Sequence, residues 1–502
     1  MTARTVMVQG TASSAGKSII AAALCRIFHQ RGYRVAPFKS QNMALNSFVT
    51  REGGEIGRAQ AVQAEAAGIE ATVDMNPVLL KPEADAMSQV IVLGKVAGKL
   101  KAEEYYEHTP DLLKVVVGAL DRLCAVYDVI VIEGAGSPAE VNLKEQEIAN
   151  MRIAYLRQTP VLLVGDIDRG GVFASLVGTL ELLGPEDREL IKGFVINKFR
   201  GNLDLLRPGL DFLEQRTGKP VLGVIPYSRD VAVAQEDSVY LDERRRSSVN
   251  GGLDVVVIRL PRVANYDDFD PLEEAGCSVR YVRVADELGM PDMVILPGTK
   301  STMADLEYVR HQGLDRAIMS LAEAGTPVVG ICGGYQMLGR VVSDPGGVEG
   351  IPGSVPGLGL LDIDTVFRPE KRTVQVEARV VCDTGLFAGL GGMEVGGYEI
   401  HMGVSSGDGR PLFRVTATPQ GSTDYPDGRV SGSGLVFGTY IHGLFHNAEF
   451  ARRFLENVRR LRKPDALLYQ GRVHDDRYNR LARLVRENLD MGRVYEIVFG
   501  RR

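Results

Sequence analysis

A chain of 502 residues is longer than one hydrophobic core usually organises, so at least two domains are expected. Its 45% apolar and 24% charged residues, with 57 glycines, fit an α/β protein rich in tight turns and exclude a disordered one. A formal net charge of -6, with both signs spread along the chain, gives no basic field for nucleic acid or a membrane surface, and no apolar run reaches the roughly 20 residues that span a bilayer. Neither nucleic acid nor a membrane is expected as a partner, and a cytoplasmic protein is. The five cysteines are scattered without CxxC spacing, which argues against a disulfide framework or a zinc site, and nothing points to a redox cofactor.

Short β-branched runs recur in the first half: Thr5 to Val8, Val129 to Ile132, Val161 to Val164, Gly193 to Ile196 and Val221 to Ile225. Helical stretches separate them. Continuous apolar strands alternating with helices predict a parallel sheet covered on both faces. A polar, arginine-rich stretch follows, and a second series begins with Leu253 to Arg259, Met293 to Leu296, Val328 to Ile331 and Leu435 to Ile441. The expected fold is therefore α/β with two doubly wound parallel-sheet domains. The first spans 1–242, a linker 243–252 and the second 253–448; a helical extension, 449–502, is expected to belong to the second.

The first strand runs into Gly10-Thr11-Ala-Ser-Ser-Ala-Gly16-Lys17-Ser18 and then a helix-forming run. Glycines let backbone N–H groups turn toward an anion, and the helix N-terminus adds partial positive charge. Lys17 reaches terminal phosphates, and the Ser18 hydroxyl suits Mg²⁺. ATP with Mg²⁺ is the expected ligand. Five residues rather than the usual four separate Gly10 from Gly16, which resembles the phosphate loop of the dethiobiotin synthetases.

Three further strand ends fall in this half. Glu133 ends Val131-Ile-Glu133-Gly134-Ala-Gly136, where a carboxylate serves Mg²⁺ directly or through a neighbour. Asn197 ends another strand and is a candidate for the adenine edge. Asp166, Asp168 and Arg169, with two glycines, follow a third and suit a loop that faces metal, phosphate or a substrate carboxylate.

In the second half, Gly330-Ile-Cys332-Gly333-Gly334-Tyr-Gln336 places a cysteine between an apolar strand and a helix, with glycine on both sides. A sharp turn there lifts the thiol out of the sheet and frees the next N–H for an oxyanion. The helix N-terminus favours the thiolate. A nucleophilic cysteine needs a base, and His442, at the end of the last strand, is the first candidate with His446 in reserve. Gly298, in Pro297-Gly298-Thr-Lys-Ser301, suits a second oxyanion donor.

With these motifs in hand, Cys332-Gly-Gly-Tyr-Gln336 and a distant histidine resemble the class I glutamine amidotransferases, with Gly298, Gly333, Gly334 and Gln336 around the glutamine. The segments Lys39 to Asn46, Glu133 to Gly136, Gly165 to Gly171, Asn197 to Gly201, Pro261 to Leu272 and Tyr398 to Gly403 narrow the likeness. Together they resemble the cobyric acid synthase family. That resemblance implies ATP- and glutamine-dependent amidation of the b, d, e and g carboxylates of adenosylcobyrinic acid a,c-diamide, with the corrinoid as substrate. It also implies an acyl phosphate, ammonia released at Cys332, and a path for ammonia shielded from water. Many relatives carry a glutamate two residues after the histidine, but this chain has Leu444. The centre is therefore a dyad or recruits a carboxylate that the sequence does not single out. Two other readings stand beside this one: a cobyrinic acid a,c-diamide synthase, and a ParA- or MinD-like ATPase switch with a non-catalytic second domain. Cys332 speaks against the switch.

Overall fold

The computed structural model describes residues 3–84, 87–228, 252–350, 352–465 and 474–500. It divides into two compact units that exchange segments of chain: unit 1 is Met1–Ala44, Glu55–Asp237 and Val473–Arg502, and unit 2 is Leu45–Gly54 and Ser238–Arg472. Most of the expected linker, 243–251, lies outside the described residues.

Unit 1 is built on a six-stranded sheet. Across it the strands run Val221–Pro226, Ile191–Phe199, Val161–Asp166, Arg4–Gly10, Val129–Glu133 and Val35–Phe38, and every pairing is parallel. The central strands bury both faces, so they read as continuous Val/Ile/Leu runs. Val35–Phe38 is an edge strand holding Pro37, a residue that a sheet accepts at its margin. A smaller sheet, Gln41–Met43, Val78–Ala84, Met87–Val92 and Lys95–Lys101, completes the unit.

The helical extension departs from expectation. Ala448–Arg462 belongs to unit 2, but His474–Asn488 and Met491–Phe499 pack into unit 1. Tyr478, Leu481, Ala482, Val485 and Leu489, spaced three and four apart, form a helical stripe buried against Lys17–Gln30 and Val221–Pro226. Phe499 stacks on Tyr33 with ring centroids 4.8 Å apart, and Asp490 N–H donates to Leu222 O at 2.7 Å. Burial of this stripe, rather than nearness in sequence, assigns the segment to the first unit.

Unit 2 carries a second six-stranded sheet, ordered Ser278–Val282, Asp254–Ile258, Met293–Leu296, Val328–Ile331, Val436–Thr439 and Arg429–Val430. It is parallel except for its last pair. An additional, mostly antiparallel sheet holds the long strands Asp364–Val380 and Glu394–Ser406, which the sequence reading did not anticipate.

Candidate active sites

In unit 1 the loop after Arg4–Gly10 turns through Ser14 (φ 58°) and Gly16 (φ 102°) into helix Lys17–Gln30. Gly16 is obligatory, since a Cβ there would lie 1.9 Å from Asn197 Nδ2. Asn197 Nδ2 donates to Ala15 O at 3.0 Å, so this side chain holds the loop from outside. Thr11 N–H donates to Val164 O at 2.9 Å and ties the loop's start to the neighbouring strand; Gly10 pairs with Val164 in the same ladder. Lys17 Nζ reaches the carbonyls of Ala12 (2.9 Å) and Gly136 (3.0 Å). A cavity of about 210 Å³ opens over the loop, lined by Ser13, Gly16, Lys17, Ser18, Lys39 and Lys198 among others. Cationic side chains and helix-start amides around such a space fit a polyphosphate.

Glu133, 1% exposed, is the hub beneath that cavity. Its Oε1 accepts from Ser18 Oγ (2.8 Å) and Lys39 Nζ (3.0 Å), and its Oε2 accepts from Gln63 Nε2 (2.5 Å). Burial works against ionisation, but the Lys39 ammonium and the hydrogen bonds outweigh it and hold the carboxyl below its ordinary range. Because Ser18 gives its proton to Glu133, the hydroxyl's lone pairs remain for a cation. Among the described residues no cluster of three or more His, Cys, Asp or Glu side chains is arranged for a metal. Mg²⁺ chemistry therefore fits here through Ser18 and nucleotide oxygens, with Glu133 one bond behind.

Asp166 and Asp168 are also partnered. Asp166 pairs with Lys198 (2.8 Å), and Asp168 pairs with Arg200 (2.8 Å). Lys198 in turn lines the phosphate cavity, whereas Arg169 sits on the exposed turn between the strand and the next helix.

In unit 2, Cys332 stands at the carboxyl end of Val328–Ile331 with φ 51° and ψ -106°. This strained turn is the expected elbow. It demands glycine on its helical side: a Cβ at Gly334 would lie 1.9 Å from Leu296 O, and one at Gly333 2.7 Å from Thr299 Cγ2. His442, 2% exposed, follows the adjacent parallel strand Val436–Thr439 and lies close enough to Cys332 for the thiol to raise the imidazole pKa, while Cys332 Sγ donates to Ile400 O at 3.6 Å. Gly298 lies beside it, where a Cβ would come within 3.0 Å of His442 Cε1. Gln336 is buried beneath the elbow, accepting from Thr302 Oγ1 (2.9 Å) and donating to Tyr440 OH (3.3 Å).

The structure supplies the carboxylate that the sequence left open. Asp268, in the 3-10 turn Tyr266–Phe269, places Oδ2 2.6 Å from His442 Nδ1 and accepts Gly443 N–H at 2.8 Å through Oδ1. Burial disfavours the imidazolium, but Asp268 and then Cys332 outweigh it and raise the His442 pKa from 6.5 to about 10. His401, nearby, moves the opposite way to about 4, chiefly through burial. His446 ends a separate 3-10 turn after Gly443.

Cysteine, imidazole and carboxylate grouped on an α/β sheet, in a chain that also carries a phosphate-loop unit, define a glutamine amidotransferase joined to a nucleotide-binding domain. Residues 254–450 match the CobB/CobQ-like glutamine amidotransferase domain, and residues 6–239 match the CobQ/CobB/MinD/ParA nucleotide binding domain. A cobyric acid synthase from Dehalococcoides mccartyi (strain CBDB1) is 56% identical over 497 residues, covering 99% of each chain. Those from Moorella thermoacetica and Sorangium cellulosum are 53% and 52% identical, covering 99% of this chain and 97% and 99% of their own. The chain belongs to the cobyric acid synthase family, glutamine-hydrolysing carbon–nitrogen ligases of cobalamin biosynthesis. This membership displaces the reading as an ATPase switch with a non-catalytic second domain.

Proposed function

We propose that the protein amidates the b, d, e and g side-chain carboxylates of adenosylcobyrinic acid a,c-diamide, using glutamine as nitrogen donor and cleaving ATP to ADP and phosphate. The observation that carries this reading is Cys332 and His442 at adjacent strand ends, with Asp268 bonded to His442 from a separate turn, in a chain that also holds a lysine-lined phosphate loop.

Cys332 Sγ attacks the glutamine carboxamide, and the oxyanion that forms meets N–H groups around Gly298 and Gly333. His442 gives its proton to the departing nitrogen, so ammonia leaves and a γ-glutamyl thioester remains; water then releases glutamate. Asp268 holds the imidazole in one orientation and favours its charged form. Glutamine is read by the backbone of the elbow, and Gln336 supports that elbow from beneath.

In unit 1 a corrinoid carboxylate takes the γ-phosphoryl group of ATP, giving an acyl phosphate that ammonia attacks with loss of phosphate. A free carboxylate is too poor an electrophile to react directly. Gly10 and Thr11 fix the start of the loop on the neighbouring strand, and the loop amides that follow, through Gly16 into the helix, bind the phosphates together with the Lys17 ammonium. Mg²⁺ would neutralise charge on the transferring group, with Ser18 as its protein ligand and Glu133 orienting Ser18. Asp166, Asp168 and Arg169 border this face and are proposed to meet the substrate or its phosphate, while Asn197 keeps the loop in shape.

Mass spectrometry of products formed from the diamide acid, ATP and glutamine tests the reading. Four successive replacements of hydroxyl by amino are expected. Amidation of cobyrinic acid at a and c instead would assign the chain to the diamide synthases, and consumption of neither nucleotide nor glutamine would overturn the proposal.

A further inference from the structure

Residues 45–54 precede the glutaminase elbow by nearly three hundred positions, yet they pack as part of unit 2. Their contacts converge on the two groups that hold His442. Asn46 Oδ1 accepts from Tyr266 N–H at 3.0 Å, at the head of the turn that bears Asp268. Ser47 N–H donates to Asn265 Oδ1 at 3.1 Å, and Asn265, with φ 52°, is the left-handed residue that starts that same turn. Asn265 Nδ2 donates to Tyr398 OH at 3.2 Å, and Tyr398 OH donates to Ser47 O at 3.3 Å. The Tyr398 ring lies flat on His442, with centroids 5.3 Å apart and planes 17° apart, and its backbone exchanges hydrogen bonds with His442 at 2.9 and 3.1 Å. Phe48 packs edge-on against Tyr398 at 5.8 Å, and Gln375 Nε2 anchors Val49 O at 2.8 Å.

A non-glycine residue held at positive φ persists only where its surroundings fix it. Asn265 is fixed by Ser47 on one side and Tyr398 on the other. Neither the turn that bears Asp268 nor the Tyr398 side chain is therefore held only by its own element, since Asn46 and Ser47 bond the start of that turn and Ser47 and Phe48 contact Tyr398.

We propose that Asn46 and the Ser47 peptide are positioning groups of the glutaminase centre, so that the Asp268–His442 pair is complete only with this amino-terminal segment in place. The inference rests on the glutaminase reading above. It makes the region 254–450, which matches an amidotransferase domain by itself, insufficient for full activity. His442 is faced by Asp268, Cys332, His401 and Tyr398, and a slackened Asp268 weakens the first of these.

The test uses the full chain with Asn46→Ala, Asn46→Asp and Ser47→Pro, measuring glutamine hydrolysis, its pH profile, and amidation supported by glutamine or by free ammonia. Asn46→Ala and Ser47→Pro are expected to lower kcat for glutamine about tenfold or more, the scale at which orienting partners act. KM should change little, the alkaline limb should move to lower pH, and ammonia-supported amidation should persist. Asn46→Asp keeps an acceptor for Tyr266 N–H and is expected to recover the rate and the profile. Unchanged glutamine kcat in both disruptive variants, or equal loss of the ammonia reaction, would overturn the inference. A wild-type chain with no glutaminase would instead overturn the functional reading beneath it.

Discussion

His442 and Asp268 lie 174 positions apart and meet through a 2.6 Å hydrogen bond between Nδ1 and Oδ2. Both side chains are buried, so the carboxylate's charge acts on the imidazole with little screening. The bond also decides which nitrogen faces the thiol, because Nδ1 is occupied and Nε2 is left for Cys332.

Replacing Asp268 with Asn keeps the shape and removes the charge. Glutamine kcat should fall by roughly 10²–10⁴-fold, as for orienting carboxylates elsewhere. The wild-type imidazole binds its proton more tightly folded (about 10) than unfolded (6.5). The stability it contributes is therefore fully present below about pH 6.5 and is lost as pH rises toward 10. Thermal melts across that window should show the wild type losing Tm while Asp268→Asn stays flatter.

The two chemistries should separate by mutation. Cys332→Ala is expected to abolish glutamine-dependent amidation while free ammonia still supports it, and Lys17→Ala to abolish both. Loss of the ammonia reaction in the cysteine variant would mean that the steps are not separable. His442→Ala should remove glutaminase activity and His446→Ala should not; assay of released glutamate distinguishes them.

Glu133→Gln leaves Lys39 buried without its counter-charge. Breaking a buried pair in this way costs about 3–5 kcal/mol, so a clear loss of Tm should accompany loss of ATP hydrolysis. The Glu133 carboxyl is held below its ordinary range, so its contribution is present above pH 4.5 and is lost only as pH falls through the folded value. Acid unfolding of wild type and variant should converge at low pH.

At Gly334 an added methyl would collide with the Leu296 carbonyl, which belongs to a buried strand and has no room to retreat. Gly334→Ala should cost about 1–3 kcal/mol and displace the thiol, giving weaker alkylation of Cys332 and little glutaminase. Alkylation at the wild-type rate would show that the elbow tolerates the methyl.

The phosphate loop and the elbow were legible because each packs strand, glycines and reactive residue into one short stretch. Asp268 was not, since Asp267, Asp268 and Asp270 crowd one turn and no periodicity tells which of them faces a histidine so far away in sequence. The strand Val35–Phe38 escaped notice because it has four residues and a proline, and Asp364–Val380 because its many charged positions break up any apolar run. Arg477 to Leu489 reads plainly as a one-sided helix. Sequence alone says that its stripe is buried but not by which core, and the nearer one was the wrong choice.

That return of the last segment has a consequence for how the protein is made. Helix Lys17–Gln30 is synthesised well before the partners of Phe28 and Tyr33, because Tyr495 and Phe499 stand several hundred residues later in the chain. At about 5–20 residues per second the apolar flank waits tens of seconds for its cover. Nascent chains arrested before Val473 should therefore be captured by a chaperone that binds exposed apolar surface, and release should follow the emergence of residues 474–499 from the ribosome.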